Sequence, residues 1–166
     1  MHVTDILTLF DYNYWANKHV LNAAARVSEN QFTAPAGLSH DSVRGAMVHI
    51  LAAEVIWRLR CQEGIFPQTL LDENEFPTRE SLRQRWTEEE KAMRAFLSQL
   101  TDAALNQPVH YKTTKGTPQE TMLWHILAHV VNHGTQFRGE AAVALTQMGH
   151  SPGDLDLIAF IREQKI

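Results

Sequence analysis

The chain has 166 residues, of which 44% are hydrophobic and 20% are charged, and its formal net charge is −4. These values are typical of one globular domain, here residues 1–166, and they give no reason to expect nucleic acid as a partner. The single cysteine, Cys61, excludes an internal disulfide and a metal site built from cysteines. With neither a signal peptide nor an apolar segment of membrane-spanning length, the sequence predicts a cytoplasmic protein without a membrane partner.

Two long helices are predicted in the first part of the chain. Apolar residues recur at three- and four-residue steps over residues 3–27 and again over residues 41–63, which is the helical period. The segment between them is more polar and contains Pro35 and Gly37. Gly64 follows the second periodic segment and predicts its end, because glycine often terminates helices.

A third helix is predicted over residues 79–100, where the apolar residues again follow the helical period. Residues 65–77 contain two prolines and predict the loop that precedes this helix. After the helix, residues 109–112 and the Lys115-Gly116 turn predict an irregular or short extended linker.

The fourth helix is predicted over residues 117–148. Its first residues, Thr117-Pro118-Gln119-Glu120, have the pattern of a capping box with proline at the first helical position. Gly149 follows the last predicted turn. A short fifth helix is predicted over residues 155–164.

Four long helices without convincing strand pairs predict an all-α protein, a four-helix bundle with a short additional C-terminal helix. The connections over residues 28–40 and 64–78 are long for an up-down-up-down bundle. We therefore expect one or more connections to cross over the bundle.

A histidine ladder is the most informative chemical feature. His125, His129 and His133 recur every four residues in the fourth predicted helix, so they lie near one face. Because His129 and His133 share a side with apolar residues such as Phe137, both are expected to project inward. His125 is expected at the surface or beside the site, and His49 lies in an apolar part of the second helix.

Two interpretations of these histidines remain open. A buried histidine is commonly a neutral core residue with one hydrogen bond to a carbonyl. Two inward imidazoles one turn apart, however, both need polar partners, and one cation shared with His49 would satisfy them. The pattern therefore predicts a metal site on His49, His129 and His133, and the interpretation of these histidines as neutral core residues stays open. The contiguous Ser39-His40-Asp41 segment cannot place three side chains as a catalytic triad requires.

The chain resembles the DinB/YfiT-like proteins over nearly its whole length. Four motifs carry the resemblance: Tyr14-Trp15-Ala16-Asn17, His49-Ile-Leu-Ala-Ala-Glu54-x-x-Trp57, His129-Val-Val-Asn-His133-Gly-Thr-Gln-Phe-Arg138-Gly-Glu140, and Gly149-His150-Ser-Pro-Gly-Asp-Leu-Asp156-Leu-Ile. The resemblance implies a four-helix bundle that holds a divalent metal, zinc or nickel, on three histidines, the first being His49. It also implies that related enzymes use the metal with small thiols, such as mycothiol or bacillithiol, in transferase, isomerase or amide-hydrolase reactions.

The chain departs from the family pattern at Phe137, because members usually have a histidine there and a glutamine where this chain has Glu140. Two outcomes follow if the family's ligand pair lies at positions 133 and 137. The metal either shifts one turn back to His129 and His133, or the site is degenerate and Phe137 fills it as a core residue.

Three functional hypotheses follow. The first is metal-assisted hydrolysis or thiol transfer on a small molecule, with a low-molecular-weight thiol as a candidate partner and Glu54 as a candidate acceptor for an imidazole N–H. The second is a non-enzymatic, stress-related binding or scaffold protein with a decayed site. The third is an oligomeric interaction module, such as a homodimer, that uses exposed aromatic residues Tyr12 and Trp15 of the first helix.

Overall fold

Four long helices form the frame of the protein, and the computed structural model describes residues 1–164 of the chain. The long helices are α1 (Val3–Ala24), α3 (Val43–Arg58), α4 (Arg79–Leu97) and α6 (Leu123–Gln147). The shorter helices within the described residues are α2 (Glu29–Thr33), α5 (Asp102–Leu105) and α7 (Leu157–Glu163). The predicted all-α bundle with a short C-terminal helix is therefore confirmed. The last two positions of the predicted domain, 165 and 166, lie outside the described residues.

Two connections between the long helices cross the bundle, and the sequence predicted one of them. The connection over residues 28–40 crosses as expected, whereas residues 64–78 join α3 to α4, which pack together. Both α6 and α4 pack against α1 and against α3. It follows that α1 and α3 lie diagonally opposite each other, and so do α4 and α6. The chain must therefore cross the bundle between α1 and α3, and again between α4 and α6. Within residues 1–164, no helix is both long and apolar enough to cross a membrane.

Apolar side chains form two clusters along the bundle. One joins α3 to the C-terminal half of α6 and contains Met47, Leu51 and Phe137. The other joins α1 to the N-terminal half of α6 and contains Phe10 and Leu127. Both clusters include residues of α1, α4 and α6, so they divide the core along the length of the bundle.

The start of α6 differs from the prediction. Pro118–Met122 is not the first turn of a helix but strand β2, which pairs antiparallel with β1 (Pro108–Lys112), and α6 begins at Leu123. The linker predicted before the helix is thus one arm of a β-hairpin. Pairing with β1 replaces the helical hydrogen bonds that these residues would otherwise form, and Gly116 with φ of 79° lies in the turn between the strands.

The C-terminal end of α3 has an unusual geometry. Residues Leu59–Glu63 form one π-helical turn, and Gly64 then adopts a left-handed conformation with φ of 65°. The predicted end of the second helix at Gly64 is therefore confirmed. π-Helical turns of this kind are frequent at functional sites, and this one places Arg60 beside the hairpin.

Candidate functional site

Two of the three predicted histidines meet where α3 packs against α6. The Nε2 atoms of His49 and His133 lie 3.0 Å apart, and both side chains are half-buried. His49 lies in the middle of α3 and His133 in the middle of α6. These two helices pack closely against each other and hold the pair in place. The predicted approach of His49 to the fourth long helix is thus observed.

Phe137 covers this histidine pair from one side. Its ring centroid lies 4.5 Å from that of His49 and 4.7 Å from that of His133, and the residue is buried. It lies one turn beyond His133 on the inner face of α6. A phenyl ring offers no ligand, so this position contributes packing and excludes water.

His129 does not join the pair. It is exposed, and its ring centroid lies 5.6 Å from His133 and 5.7 Å from Trp57. The prediction that His129 projects inward is wrong, because a four-residue step turns about 40° around the helix and carries this position to the edge of the buried stripe. Its assignment as a metal ligand stays a prediction. His125 is exposed beside Trp124, in keeping with the surface role predicted for it.

A different histidine, His40, lies against the pair. Its ring stacks on that of His49 with centroids 3.7 Å apart and an interplanar angle of 22°. The edge of the Phe137 ring also contacts it, at a centroid distance of 5.2 Å. His40 was not predicted as a neighbour of the site, because its contiguous segment Ser39-His40-Asp41 was considered only as a catalytic triad.

The loop that carries His40 is held from two sides. Glu140 of α6 accepts hydrogen bonds from the backbone N–H and the hydroxyl of Ser39, at 2.9 and 2.7 Å. The carbonyl oxygen of His40 packs directly on Gly45, where a Cβ atom would overlap it. Asp41, in the same loop, adopts a left-handed backbone conformation with φ of 61°. The glycine in the first turn of α3 is the sequence signal that could have indicated this close approach.

The paired imidazoles are neutral at pH 7. Burial lowers the pKa of His49 to about 4, with a further contribution from His40 that Glu140 opposes. Burial also lowers the pKa of His133 to about 4, and the neighbouring His49 and His129 add to this effect. Neutral imidazoles keep a lone pair, which is the form that binds a metal.

The pair fits a divalent transition metal only in part. Two nitrogen ligands of one tetrahedral zinc stand about 3.3 Å apart, given Zn–N distances of about 2.0–2.1 Å, and the two Nε2 atoms lie close to that separation. The same distance also suits one N–H···N hydrogen bond, but Nδ1 of His133 would still be buried without a partner. No group of three or more potential ligands is arranged to hold a metal within residues 1–164.

A small cavity opens beside the pair. It has a volume of about 250 Å³, and His49, His133, Trp57, Arg60 and Tyr111 are among its lining residues. A second cavity of about 460 Å³ lies on the His40 side of His49. A larger cavity, about 670 Å³, lies between α1 and α4 and is lined by none of the histidines. The 250 Å³ cavity is the one that reaches both paired imidazoles, so a ligand of the site would occupy it.

Glu54 has a different role from the one predicted. It is fully buried and accepts hydrogen bonds from the side-chain amides of Asn13 and Asn17, at 2.8 and 3.0 Å, and not from an imidazole. Buried Arg138 donates to the amide oxygens of the same two asparagines. These residues form a polar network in the bundle interior.

Cys61 is unsuited to nucleophilic chemistry. Burial raises the pKa of its thiol to about 12, and the nearby Arg60 offsets this only in part. A thiol is a weak nucleophile until it loses its proton.

The proposed aromatic interface of the first helix is not exposed. Tyr12 is buried, and its hydroxyl donates to the carbonyl of Leu155 at 3.0 Å. Trp15 is half-buried, and its indole N–H donates to Glu163 of α7 at 2.8 Å. Both residues hold the C-terminal segment against α1, so the expected exposure of Tyr12 is wrong and Trp15 is exposed only in part. A homodimer stays a prediction.

Comparison with known proteins supports the resemblance seen in the motifs. The model of the DinB family matches residues 1–165. The chain belongs to the DinB family. This DinB-family chain is 23% identical to Protein DinB of Bacillus subtilis (strain 168) over 161 residues, which cover 92% of each protein.

Proposed function

We propose that this DinB-family protein binds one divalent transition-metal ion, zinc or nickel, between His49 and His133. We further propose that it uses the ion in hydrolysis or thiol transfer on a small molecule. The observation that carries the proposal is the pair of facing Nε2 atoms, 3.0 Å apart on two packed helices and beside a cavity. Imidazole is the commonest metal-binding side chain, and sites of this kind are often built from facing helices of a bundle.

The side chains around the histidine pair close the site on one side and leave it open on the other. When bound, a divalent ion lowers the pKa of a coordinated water to about 7 or holds a substrate thiolate. Phe137 closes the site toward the core and keeps water from that side. The cavity lined by Trp57 and Tyr111 provides the approach from the other side.

Two residues are candidates for the third protein ligand. The sequence predicts His129, and the structure adds His40. His40 is in ring contact with His49, whereas the ring of His129 is exposed and lies toward Trp57. We favour His40, because its loop is fixed to α6 through Glu140 and to α3 through Gly45. Either residue would have to change its side-chain torsions to complete a three-nitrogen site.

A second function is favoured by two observations, namely that of a binding protein with a decayed site. Phe137 occupies a family histidine position, and Nδ1 of His133 has no hydrogen-bond partner. Metal-bound histidines almost always donate their other N–H to an acceptor, and losing that partner typically weakens binding 10- to 100-fold. On this alternative, His49 and His133 form only a core hydrogen bond.

Metal analysis separates the two functions. Untagged protein, stripped with chelator and dialysed against zinc or nickel, should retain close to one ion per chain and melt at a higher temperature. The variants His49→Ala and His133→Ala should lose the retained ion, while His125→Ala, an exposed control on α6, should keep it. Wild-type protein that stays metal-free with an unchanged melting temperature would support the decayed-site function.

Two further substitutions identify the third ligand. His40→Ala and His129→Ala each remove one imidazole at the edge of the site, so titration calorimetry with zinc compares them directly. We expect His40→Ala to weaken binding at least tenfold and His129→Ala to have a small effect. The opposite order would restore His129 as the ligand and leave the proposed metal site intact.

Phe137→His tests the departure from the family. A histidine one turn beyond His133 would add a nitrogen on the same inner face, so zinc affinity should rise. The substitution should also lower stability, because a buried phenyl ring is exchanged for a polar ring. Unchanged zinc affinity in a folded Phe137→His variant would indicate that position 137 does not face the metal.

A further inference from the structure

Arg60 is a buried cation without an anionic partner. The residue is 6% exposed, and within residues 1–164 its side chain forms neither an ion pair nor a hydrogen bond. Its Nε atom is buried with no partner at all. An arginine carries five N–H donors and stays charged, so a buried one normally pairs with a carboxylate or with carbonyl groups. The neighbouring Arg58 follows that rule, because it binds Glu89 at 2.5 Å.

The position of Arg60 brings its guanidinium into the cavity beside the histidine pair. It stands in the π-helical turn after α3, and its terminal carbon lies 4.7 Å from the ring centroid of Trp57 and 5.4 Å from that of Tyr111. All three residues line the cavity that His49 and His133 also line. The remaining walls are apolar or carry hydroxyl groups, and no carboxylate is among the lining residues.

The two aromatic rings stabilise the cation but do not satisfy its hydrogen bonds. A ring face attracts the positive charge of a guanidinium that lies over it, whereas the N–H donors point outward in the guanidinium plane. Burial lowers the pKa of Arg60, which means that its surroundings disfavour the charged form. An anion that enters the cavity would stabilise the charged guanidinium and accept hydrogen bonds from its unpaired N–H groups.

We propose that Arg60 binds the carboxylate of a small substrate whose other end faces His49 and His133. A guanidinium and a carboxylate match as a two-pronged hydrogen-bonded pair. A carboxylate is favoured over a phosphate on metal-free protein, because one guanidinium balances a single negative charge and the lining residues include no other Lys or Arg. The volume of about 250 Å³ and the aromatic walls suit a small acid with an apolar body.

The inference rests on the proposed function only in naming the histidine pair as the place of reaction. Carboxylate binding at Arg60 is measurable on protein stripped of metal, where the histidines hold no ion. A stripped protein that takes up no zinc but binds the acid through Arg60 would overturn the proposed function alone. A protein that takes up zinc but shows no Arg60-dependent binding would overturn this inference alone.

The test uses sodium benzoate as the probe, benzamide as its neutral analogue and inorganic phosphate as the competing anion. On wild-type protein, benzoate should raise the melting temperature and give a binding isotherm in calorimetry, while benzamide and phosphate should bind at least tenfold more weakly. Benzoate binding no tighter than benzamide binding would overturn the charge assignment. Tighter binding of phosphate would overturn the carboxylate assignment.

Variants then assign the effect to Arg60. Arg60→Gln should weaken benzoate binding at least tenfold and leave benzamide binding unchanged. Arg60→Lys should retain an intermediate affinity, because lysine keeps the positive charge but cannot donate two parallel hydrogen bonds to the carboxylate. The matched control is Lys112→Gln, which removes one positive charge from an exposed residue of the same hairpin. Equal losses in Arg60→Gln and Lys112→Gln would show a general charge effect and refute the site. If Arg60→Gln does not fold, the comparison of Arg60→Lys with Lys112→Gln decides by the same criterion.

Discussion

Substitution of Glu54 by glutamine should change how the stability of the protein depends on pH. Burial raises the pKa of this carboxyl from its ordinary value of 4.5 to about 7, although Asn13, Asn17 and Arg138 oppose the shift. The folded protein therefore holds this proton more tightly than the unfolded chain does. It follows that the stability contribution of Glu54 is fully present below pH 4.5 and is lost as the pH rises through 7.

The size of this effect follows from the two pKa values. A change from 4.5 to about 7 corresponds to about 3 kcal/mol of unfolding free energy between acidic and mildly alkaline pH. In a protein of this size that is a difference of about 6–12 °C in melting temperature. Glutamine keeps the shape of the protonated acid and cannot ionise, so Glu54→Gln should not show this loss.

Urea unfolding of the wild type and Glu54→Gln at several pH values between 4.5 and 8.5 measures the effect. Subtracting the two curves removes the contributions of all other groups, and the variant should gain about 3 kcal/mol relative to the wild type across this range. Glu88→Gln, an exposed control on α4, should follow the wild type. Parallel curves for the wild type and Glu54→Gln would refute the argument that burial controls this carboxyl.

Three other predictions concern single sites. Thr78→Ala should cost about 0.5–2 kcal/mol in urea unfolding, because the Thr78 hydroxyl accepts from the backbone N–H of Ser81 at the start of α4, and an unchanged midpoint would contradict this. Gly45→Ala should lower the free energy of unfolding by about 1–3 kcal/mol and displace His40 from His49, because the new methyl group overlaps the His40 carbonyl. Unshifted histidine ring resonances in the NMR spectrum of the variant would contradict this displacement. Cys61 should react with iodoacetamide at pH 8 on the order of a thousandfold more slowly in the folded than in the unfolded protein, and equal rates would contradict the burial of its thiol.

The long helices were predictable because their signal is local. Apolar residues at three- and four-residue steps identify α1, α3 and α4 within a few residues of their observed bounds. The hairpin was not predictable in this way, because each of its strands is stabilised by the other and neither has a long periodic pattern. The segment around Thr117 and Pro118 fits the start of a helix equally well, and only pairing with Pro108–Lys112 decides between them.

The candidate site was predictable where the residues stand on long helices. His49 and His133 lie on the buried faces that periodicity assigns to them, and their helices pack together. His129 was misplaced because it stands at the edge of such a face. His40 depends on contacts with residues distant in sequence, such as Glu140, about a hundred positions later. Arg60 depends on a π-helical turn that has no recognisable sequence pattern.

The most direct test of the metal proposal is a crystal structure of the zinc-loaded protein with anomalous diffraction data collected at the zinc absorption edge. We expect one strong anomalous peak per chain, placed about 2.0–2.1 Å from the Nε2 atoms of both His49 and His133. A peak that contacts only exposed residues, or the absence of any peak between these two imidazoles, would contradict it.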